Sequence, residues 1–357
     1  MVRGTALLRL DFNTEDDWRM KAVLPTIKFL LKKGCKIVIL SHRGRPQGRV
    51  DQRLSLRKDA VDLSRLLKKK VIFIDHFDFA RIRKAVAASP ARSVFLLENL
   101  RFTKGEEKND PKFARQLASL GNFYVNDAFA VSHRADASVV AITNYLPSYA
   151  GLELAAELAY LSRVMVRPKR PLVMVVGGAK VSDKLGVLRY FRTKADWFLV
   201  GGGPANTLLA VRGMNVKRSL REQGGDTAAV RKISRYPNLI LPVDYVWHKN
   251  AIVDIGPATC AAFANKIAGA RTIVWSGPLS LIDVKLYERG SRKIAAAIAR
   301  NRKALSSAGG GETVMFLKKI RLDKKFTFIS TGGGAMLDFL AGEKLPGIEA
   351  LKSSSSL

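Results

Sequence analysis

Short apolar runs alternate with longer stretches of helical period along the whole chain. Ala6–Leu10, Lys36–Leu40, Val71–Asp75, Val94–Leu97 and Phe123–Val125 are nearly unbroken apolar runs and predict buried strands. Between them, Met20 to Lys33, Leu54 to Lys69, Phe79 to Ala88 and Asp110 to Leu120 place apolar residues every three or four positions, which predicts helices. The series resumes with Leu172–Val176, Trp197–Val200, Leu239–Leu241, Thr272–Trp275 and Phe326–Ile329. Strands that are apolar on both faces must be covered on both faces, and their alternation with helices is the pattern of a parallel sheet.

Between the two series, residues 151–166 are rich in Leu and Ala, with Leu154, Leu158 and Leu161 on one face. The pattern predicts an α/β fold of two doubly wound parallel-sheet lobes, Rossmann-like, joined by a helical hinge. The boundaries expected are 1–150 for the first lobe, 151–168 for the connecting helix, 169–340 for the second lobe and 341–357 for a tail. The alternative is an ordinary surface helix inside one large domain.

Composition agrees with two cores: 357 residues, 47% hydrophobic and 25% charged, are ample for both and rule out a disordered chain. Charge adds something the pattern does not, since 61 Lys and Arg against 30 Asp and Glu give a formal +31. Such a field attracts anions, whether a phosphorylated metabolite, a nucleic acid or a membrane surface, without choosing among them. Cys35 and Cys260 are isolated from each other and from other ligand types, so neither a disulfide nor a zinc site is expected. Reduced, buried thiols in a cytoplasmic protein are expected instead. No apolar run reaches transmembrane length, and the N-terminus enters its first strand without a signal-peptide block. The polar tail Ser353–Leu357 predicts a frayed end, and its last three residues resemble a peroxisomal address without the central Lys.

Glycine triplets at Gly201–Gly203, Gly309–Gly311 and Gly332–Gly334 are the first chemical signal. The first and third follow strands, where the backbone N–H groups of glycines and the start of a following helix can approach phosphates. Familiar nucleotide signatures are missing. There is no Gly-x-x-x-x-Gly-Lys-Ser/Thr, Asn206 stands where Gly-x-Gly-x-x-Gly needs its third glycine, and protein-kinase and serine-hydrolase motifs are absent.

The first half carries polar clusters wherever a strand gives out: Asp11-Phe12-Asn13, Ser41-His42-Arg43-Gly44-Arg45-Pro46, Glu98-Asn99-Leu100-Arg101, and Asn126-Asp127 with His133-Arg134. In a parallel sheet these converge on one rim. Arg19, Arg45, Arg101 and Arg134, with His42, would there form a basket for a doubly anionic phosphate and carboxylate.

Read in order, these residues resemble the phosphoglycerate kinase family over nearly the whole chain. The resemblance is carried by Leu8–Asn13, Ala22–Ile27, Ser41–Pro46, Leu96–Phe102, Gly177–Lys184, Asp254–Pro257 and Ser330–Ala335. It implies reversible phosphoryl transfer between ATP and 3-phosphoglycerate, giving ADP and 1,3-bisphosphoglycerate, with Mg²⁺ accompanying the nucleotide. It assigns Asp11, Phe12, Asn13, Arg19, His42, Arg43, Gly44, Arg45, Arg101, His133 and Arg134 to the acid substrate. Lys180 and Lys184 fall to the nucleotide phosphates and the moving phosphoryl group, with Arg19 and these two lysines as the catalytic cations. Gly201, Gly202, Gly203, Gly277 and Pro278 would line the adenine pocket. Asp283, Gly309, Gly310, Gly311, Glu312 and Thr313 complete the nucleotide side, with Glu312 beside the metal. Hinge closure, a monomeric state, a cytoplasmic location and no nucleic-acid or membrane partner are the family's expectations.

Several positions depart from the family pattern. Asn13-Thr14-Glu15 replaces Asn-Val-Pro, Asp136 ends what is His-Arg-Ala-His in the family, and Ser276 stands for Asn. Asp283 replaces a Glu, Glu312 replaces an Asp, and the stretch from Val243-Asp244 to Asp254 is short. Asp136 should weaken anion capture unless it pairs with a neighbouring Arg. Two rival readings stay open at this point: an inactive kinase-like fold that binds nucleic acid through its charge, and a kinase for another phosphorylated acid.

Overall fold

The apolar runs become the interior strands of two parallel sheets. A computed structural model describes residues 4–14 and 16–354, so the departure at Glu15 and the final Ser355–Leu357 lie outside the described residues. In the first unit, β1 (Thr5–Arg9), β2 (Lys36–Leu40), β3 (Val71–Ile74), β4 (Val94–Leu97), β5 (Phe123–Asn126) and β6 (Ser148–Ala150) lie in the order β3-β4-β2-β1-β5-β6. All pairings are parallel. The chain leaves β1 toward β2 on one side and leaves β5 toward β6 on the other. The winding therefore reverses between β1 and β5, which opens a crevice at their carboxyl ends.

The second unit holds β7 (Leu172–Val176), β8 (Trp197–Val200), β9 (Leu239–Ile240), β10 (Tyr245–His248), β11 (Ala251–Ile255), β12 (Thr272–Ser276), β13 (Leu305–Gly309) and β14 (Phe328–Ile329). Six of these form a parallel sheet ordered β14-β13-β12-β7-β8-β9, in which the winding reverses between β7 and β12. Strands β10 and β11 make an antiparallel hairpin closed by Lys249 and Asn250, both with positive φ (44° and 63°). That two-residue turn is the short stretch noted in the sequence.

The sequence reading differs from the structure where packing overrides pattern. Strand β13 is too polar to be predicted, yet Ser306 and Ser307 are buried, Ser306 Oγ accepting from Thr327 N and Ser307 Oγ donating to the Ile273 carbonyl. The helix expected over Met20 to Lys33 is two helices, Trp18–Ala22 and Leu24–Lys32, because Pro25 supplies no N–H and is tolerated only in a first turn.

Each unit has its own core. Ile37, Ile39, Leu8, Ile27 and Leu63 pack in the first, and Trp275, Phe263, Ile273, Ile294 and Phe316 in the second. The units divide within the helix Leu152–Val166: Met1–Ala159 with Lys344–Leu357 form one, Tyr160–Glu343 the other. Of the frayed tail expected over Ser353–Leu357, Ser353 and Ser354 are corrected to helix, and 355–357 lie outside the described residues. Pro346–Ser354 is a helix of the first unit, with Ile348 and Leu351 buried and Gly347 N donating to the Ser132 carbonyl at 2.9 Å. Both cysteines are free and buried, and burial pushes the Cys260 thiol up to about 11. No helix among the described residues is long and apolar enough to cross a membrane.

Candidate active site

In the first unit the side chains expected on the rim fall into two tiers. The outer tier keeps some exposure at every member but His42. Arg19 lies in the first turn of the helix Trp18–Ala22, and its Nη1 donates to Asp11 Oδ2 at 2.6 Å. Its buried Nε has no hydrogen-bond partner among the described residues. Arg45 and Asn13 are exposed, and His133 and Arg134 are half-buried. His42 is buried and ringed by guanidinium charge. Burial, then Arg9, Arg101, Arg134 and Arg19 in that order, hold its pKa well below the usual imidazole range. The ring is neutral at physiological pH.

The inner tier is occupied by the scaffold. Arg43 donates to Asp59 and to the carbonyls of Phe12 and Thr14, so it fixes the loop after β1. Gly44 N donates to Asn13 Oδ1, joining that loop to the one after β2. Arg101 is only 1% exposed; its Nη1 donates to the Gly44 carbonyl, and Asp136 and Glu107 flank it at 3.4 and 3.6 Å. A guanidinium so enclosed supports the rim from beneath. Asp136, the departure that threatened anion capture, is thus paired with a neighbouring Arg.

In the second unit the crevice between β7 and β12 is built from backbone laid on backbone. Gly177 N donates to the Ser276 carbonyl and Gly178 N to that of Pro278. A Cβ on Gly277, whose φ is +86°, would lie 2.2 Å from the Gly177 carbonyl carbon, so no other residue fits. The triplet expected to offer N–H groups to phosphate does something else: Gly202 N and Gly203 N are taken by the carbonyls of Leu279 and Gly178. Their lack of side chains lets the helix Gly202–Val211 press onto the crevice, where a Cβ on Gly203 would stand 2.0 Å from the Ala179 oxygen.

Beside this floor lies a concave cleft of about 200 Å³. Gly202, Gly203 and Pro278 line it, Leu220, Pro242, Tyr245, Ile252 and Leu281 give it apolar walls, and Asp283 and Glu312 stand at its edge. Glu312 is exposed in the first turn of the helix Gly311–Lys319, which Thr313 ties to the end of β12 by accepting from Gly277 N at 2.9 Å. Gly309 ends β13, so this triplet also follows a strand, and Gly310 (φ 93°) turns the chain into that helix. Its exposed start is where phosphate oxygens are favoured.

Lys184 is buried with its Nζ donating to Ser276 Oγ at 3.0 Å. Burial pushes its pKa down to about 8, against the pull of Asp183 and Glu312. Lys180 is exposed, and it adds to the hydrogen bonds from Ser182 that, against burial, lower the pKa of Glu222. Among the described residues no group of three or more His, Cys, Asp or Glu could hold a metal alone. A single carboxylate, Glu312, suits a magnesium ion held mainly by phosphate oxygens and water.

Sequence reasoning missed two residues here. Arg9 lies fully buried against His42, and its signal was a charge inside an otherwise apolar strand. Asp254 lines the cleft with its pKa pushed up to about 6 by burial, while the N–H groups of Gly290 and Ile255 donate to it. It stood within a recognised motif, but only the hairpin reveals its place.

The sequence profile described as phosphoglycerate kinase matches residues 3–343. The phosphoglycerate kinase of Dictyoglomus turgidum is 39% identical over 97% of this chain and 95% of its own length. That of Pelotomaculum thermopropionicum is 41% identical over 98% and 97%. Among solved structures, phosphoglycerate kinase from Pyrococcus horikoshii superposes with a TM-score of 0.88 at 30% identity, covering 99% of this chain and 96% of that one. The enzyme from Coxiella burnetii gives 0.83 at 35%, covering 98% and 96%.

Proposed function

The chain belongs to the phosphoglycerate kinase family and is a phosphotransferase, and from that premise we propose how its two units divide the reaction. The first holds 3-phosphoglycerate at the outer tier of Arg19, His42, Arg45 and Arg134. The second holds ATP or ADP in the cleft floored by Gly202, Gly203 and Pro278. The observation that carries the reading is the pairing of these two sites. A cationic rim ends one parallel sheet; an apolar cleft edged by a helix start, with a buried lysine bonded to the strand end at Ser276, ends the other.

The chemistry needs no protein base. The acceptor is a carboxylate, already deprotonated, and phosphoryl transfer asks for in-line placement and compensation of charge on the equatorial oxygens. Arg19 in the first unit and Lys180 and Lys184 in the second are the proposed cations. Magnesium, bound with the nucleotide and near Glu312, would neutralise phosphate charge. Closure about the connecting helix would bring acceptor to donor and exclude water that would hydrolyse the acyl phosphate. Asp283 is proposed to face the nucleotide sugar. A cytoplasmic monomer without a nucleic-acid partner completes the proposal, the +31 charge being a solvated surface.

The test is a coupled assay of purified protein with Mg²⁺, ATP and 3-phosphoglycerate. ADP and an acyl phosphate, trapped as the hydroxamate, are expected. Folded protein with no turnover above a boiled control would overturn the reading. RNA binding that persists at physiological salt would favour the nucleic-acid reading instead.

A further inference from the structure

A charged side chain with no solvent exposure, placed two residues before the first site cluster at Asp11, has no role in the scheme above. Arg9 is 0% exposed. Its Nε donates to Ser138 Oγ at 2.8 Å, its Nη1 donates to the Leu10 carbonyl, and its Nη2 lies 3.2 Å from Nδ1 of His42. Behind it, Ser138 donates to Glu106 through both Oγ and backbone N–H, at 2.6 and 3.0 Å, and Glu106 Oε1 stands 3.7 Å from Arg9 Nη2. The planar fork is therefore held from three sides and cannot turn away from the imidazole.

A guanidinium only donates, so the His42 nitrogen facing it must accept. A proton on Nδ1 would set N–H against N–H at that distance. The other candidate partner, Asp11 Oδ1, is 4.0 Å from Nδ1, too far for a hydrogen bond. A doubly protonated ring is opposed by its burial and by the charges of Arg9, Arg101, Arg134 and Arg19 around it.

We propose that Arg9 is a positioning residue for His42: by donating to Nδ1 it fixes the imidazole as the neutral tautomer protonated on Nε2. The ring then serves the acid substrate as a hydrogen-bond donor and not as a base, and Glu106 with Ser138 holds the device in place. This rests on the acid-binding role proposed for the outer tier. It also gives a reason for burying a carboxylate as deeply as Glu106, which no substrate could reach.

The test has a spectroscopic arm that needs no turnover. The chain has four histidines, so nitrogen-15 NMR can assign His42 by the signal lost in His42→Gln. In ligand-free protein between pH 6 and 8, a bare Nδ1 and a protonated Nε2 are expected. The opposite tautomer, an imidazolium or an averaged signal would overturn the proposal.

The second arm is Arg9→Lys, which keeps a positive charge for Glu106 but cannot serve Ser138, Leu10 and His42 at once. The expected result is a KM for 3-phosphoglycerate raised about tenfold, as for one lost charge-assisted hydrogen bond. The KM for ATP should be unchanged and the His42 signal no longer confined to one tautomer. A lower melting temperature with that KM and the tautomer unmoved would make Arg9 structural only and overturn the idea. Should Arg9→Lys fail to fold, Ser138→Ala carries the same readouts. If 3-phosphoglycerate proves not to be the substrate, the functional reading falls while the tautomer is still decided.

Discussion

Arg101 Nη2 lies 3.4 Å from Asp136 Oδ2, and the two side chains are 1% and 6% exposed. A carboxylate that the sequence set down beside an anion-binding rim is thus turned inward as the counter-charge of a buried guanidinium. The rim keeps its positive face because the cost of burying Arg101 is offset below it, by Asp136 and more distantly by Glu107.

Asp136→Asn should leave that guanidinium under-compensated and destabilise the first unit. Removing one partner of a buried pair costs about 3–5 kcal/mol. The low end is expected, because Glu107 and the Gly44 carbonyl remain. Urea denaturation measures it, and a change below about 1 kcal/mol would place the compensation elsewhere.

Arg19 is anchored through Nη1 on Asp11, while its buried Nε has no hydrogen-bond partner among the described residues. Arg19→Ala should therefore act on the transition state, lowering kcat by about 10²–10³ with a smaller change in KM. Near-normal kcat with a raised KM would reassign Arg19 to ground-state binding.

Lys184, in its proposed role, should set a pH limit on nucleotide use. Its cation is present below about pH 8 and lost above it, so kcat/KM for ATP should fall as pH rises through that value. The ratio reports the free enzyme, in which no phosphate yet holds the proton. Glu312→Gln removes an acid that raises the Lys184 pKa and should move this limb to lower pH. A profile flat to pH 9.5 would exclude Lys184 from capture of the phosphates.

The same Glu312→Gln variant should need more magnesium for half-maximal rate, while Glu312→Asp should remain active with a near-parent requirement. A carboxylate serving only the helix start would cost a few tenths of a kcal/mol in stability and leave the magnesium curve unmoved. Titration of magnesium at fixed ATP separates the two.

Much of this protein was determined by sequence alone. Apolar runs such as Leu172–Val176 have no polar face to expose, so two helix-covered parallel sheets follow from hydrophobic burial without any tertiary information. Ordered clusters at strand ends, Asp11 to Asn13 and Ser41 to Arg45, could be placed on one rim because parallel strands all end on the same side. Which arginine is free and which is enclosed could not be read there. Arg43 and Arg45 are two positions apart in one motif, yet Arg43 is locked on Asp59 and Arg45 is exposed. The glycines were legible as close-approach positions, but whether their N–H groups faced ligand or the neighbouring loops depended on Leu279 and Gly178, distant in sequence. Strand β13 and the helix Pro346–Ser354 were missed for a related reason, since their burial comes from partners supplied by other parts of the chain. Local pattern decides what must be buried; the assembled fold decides which polar group meets which partner, because a hydrogen bond or an ion pair is a property of two residues and its geometry is fixed only when both are in place.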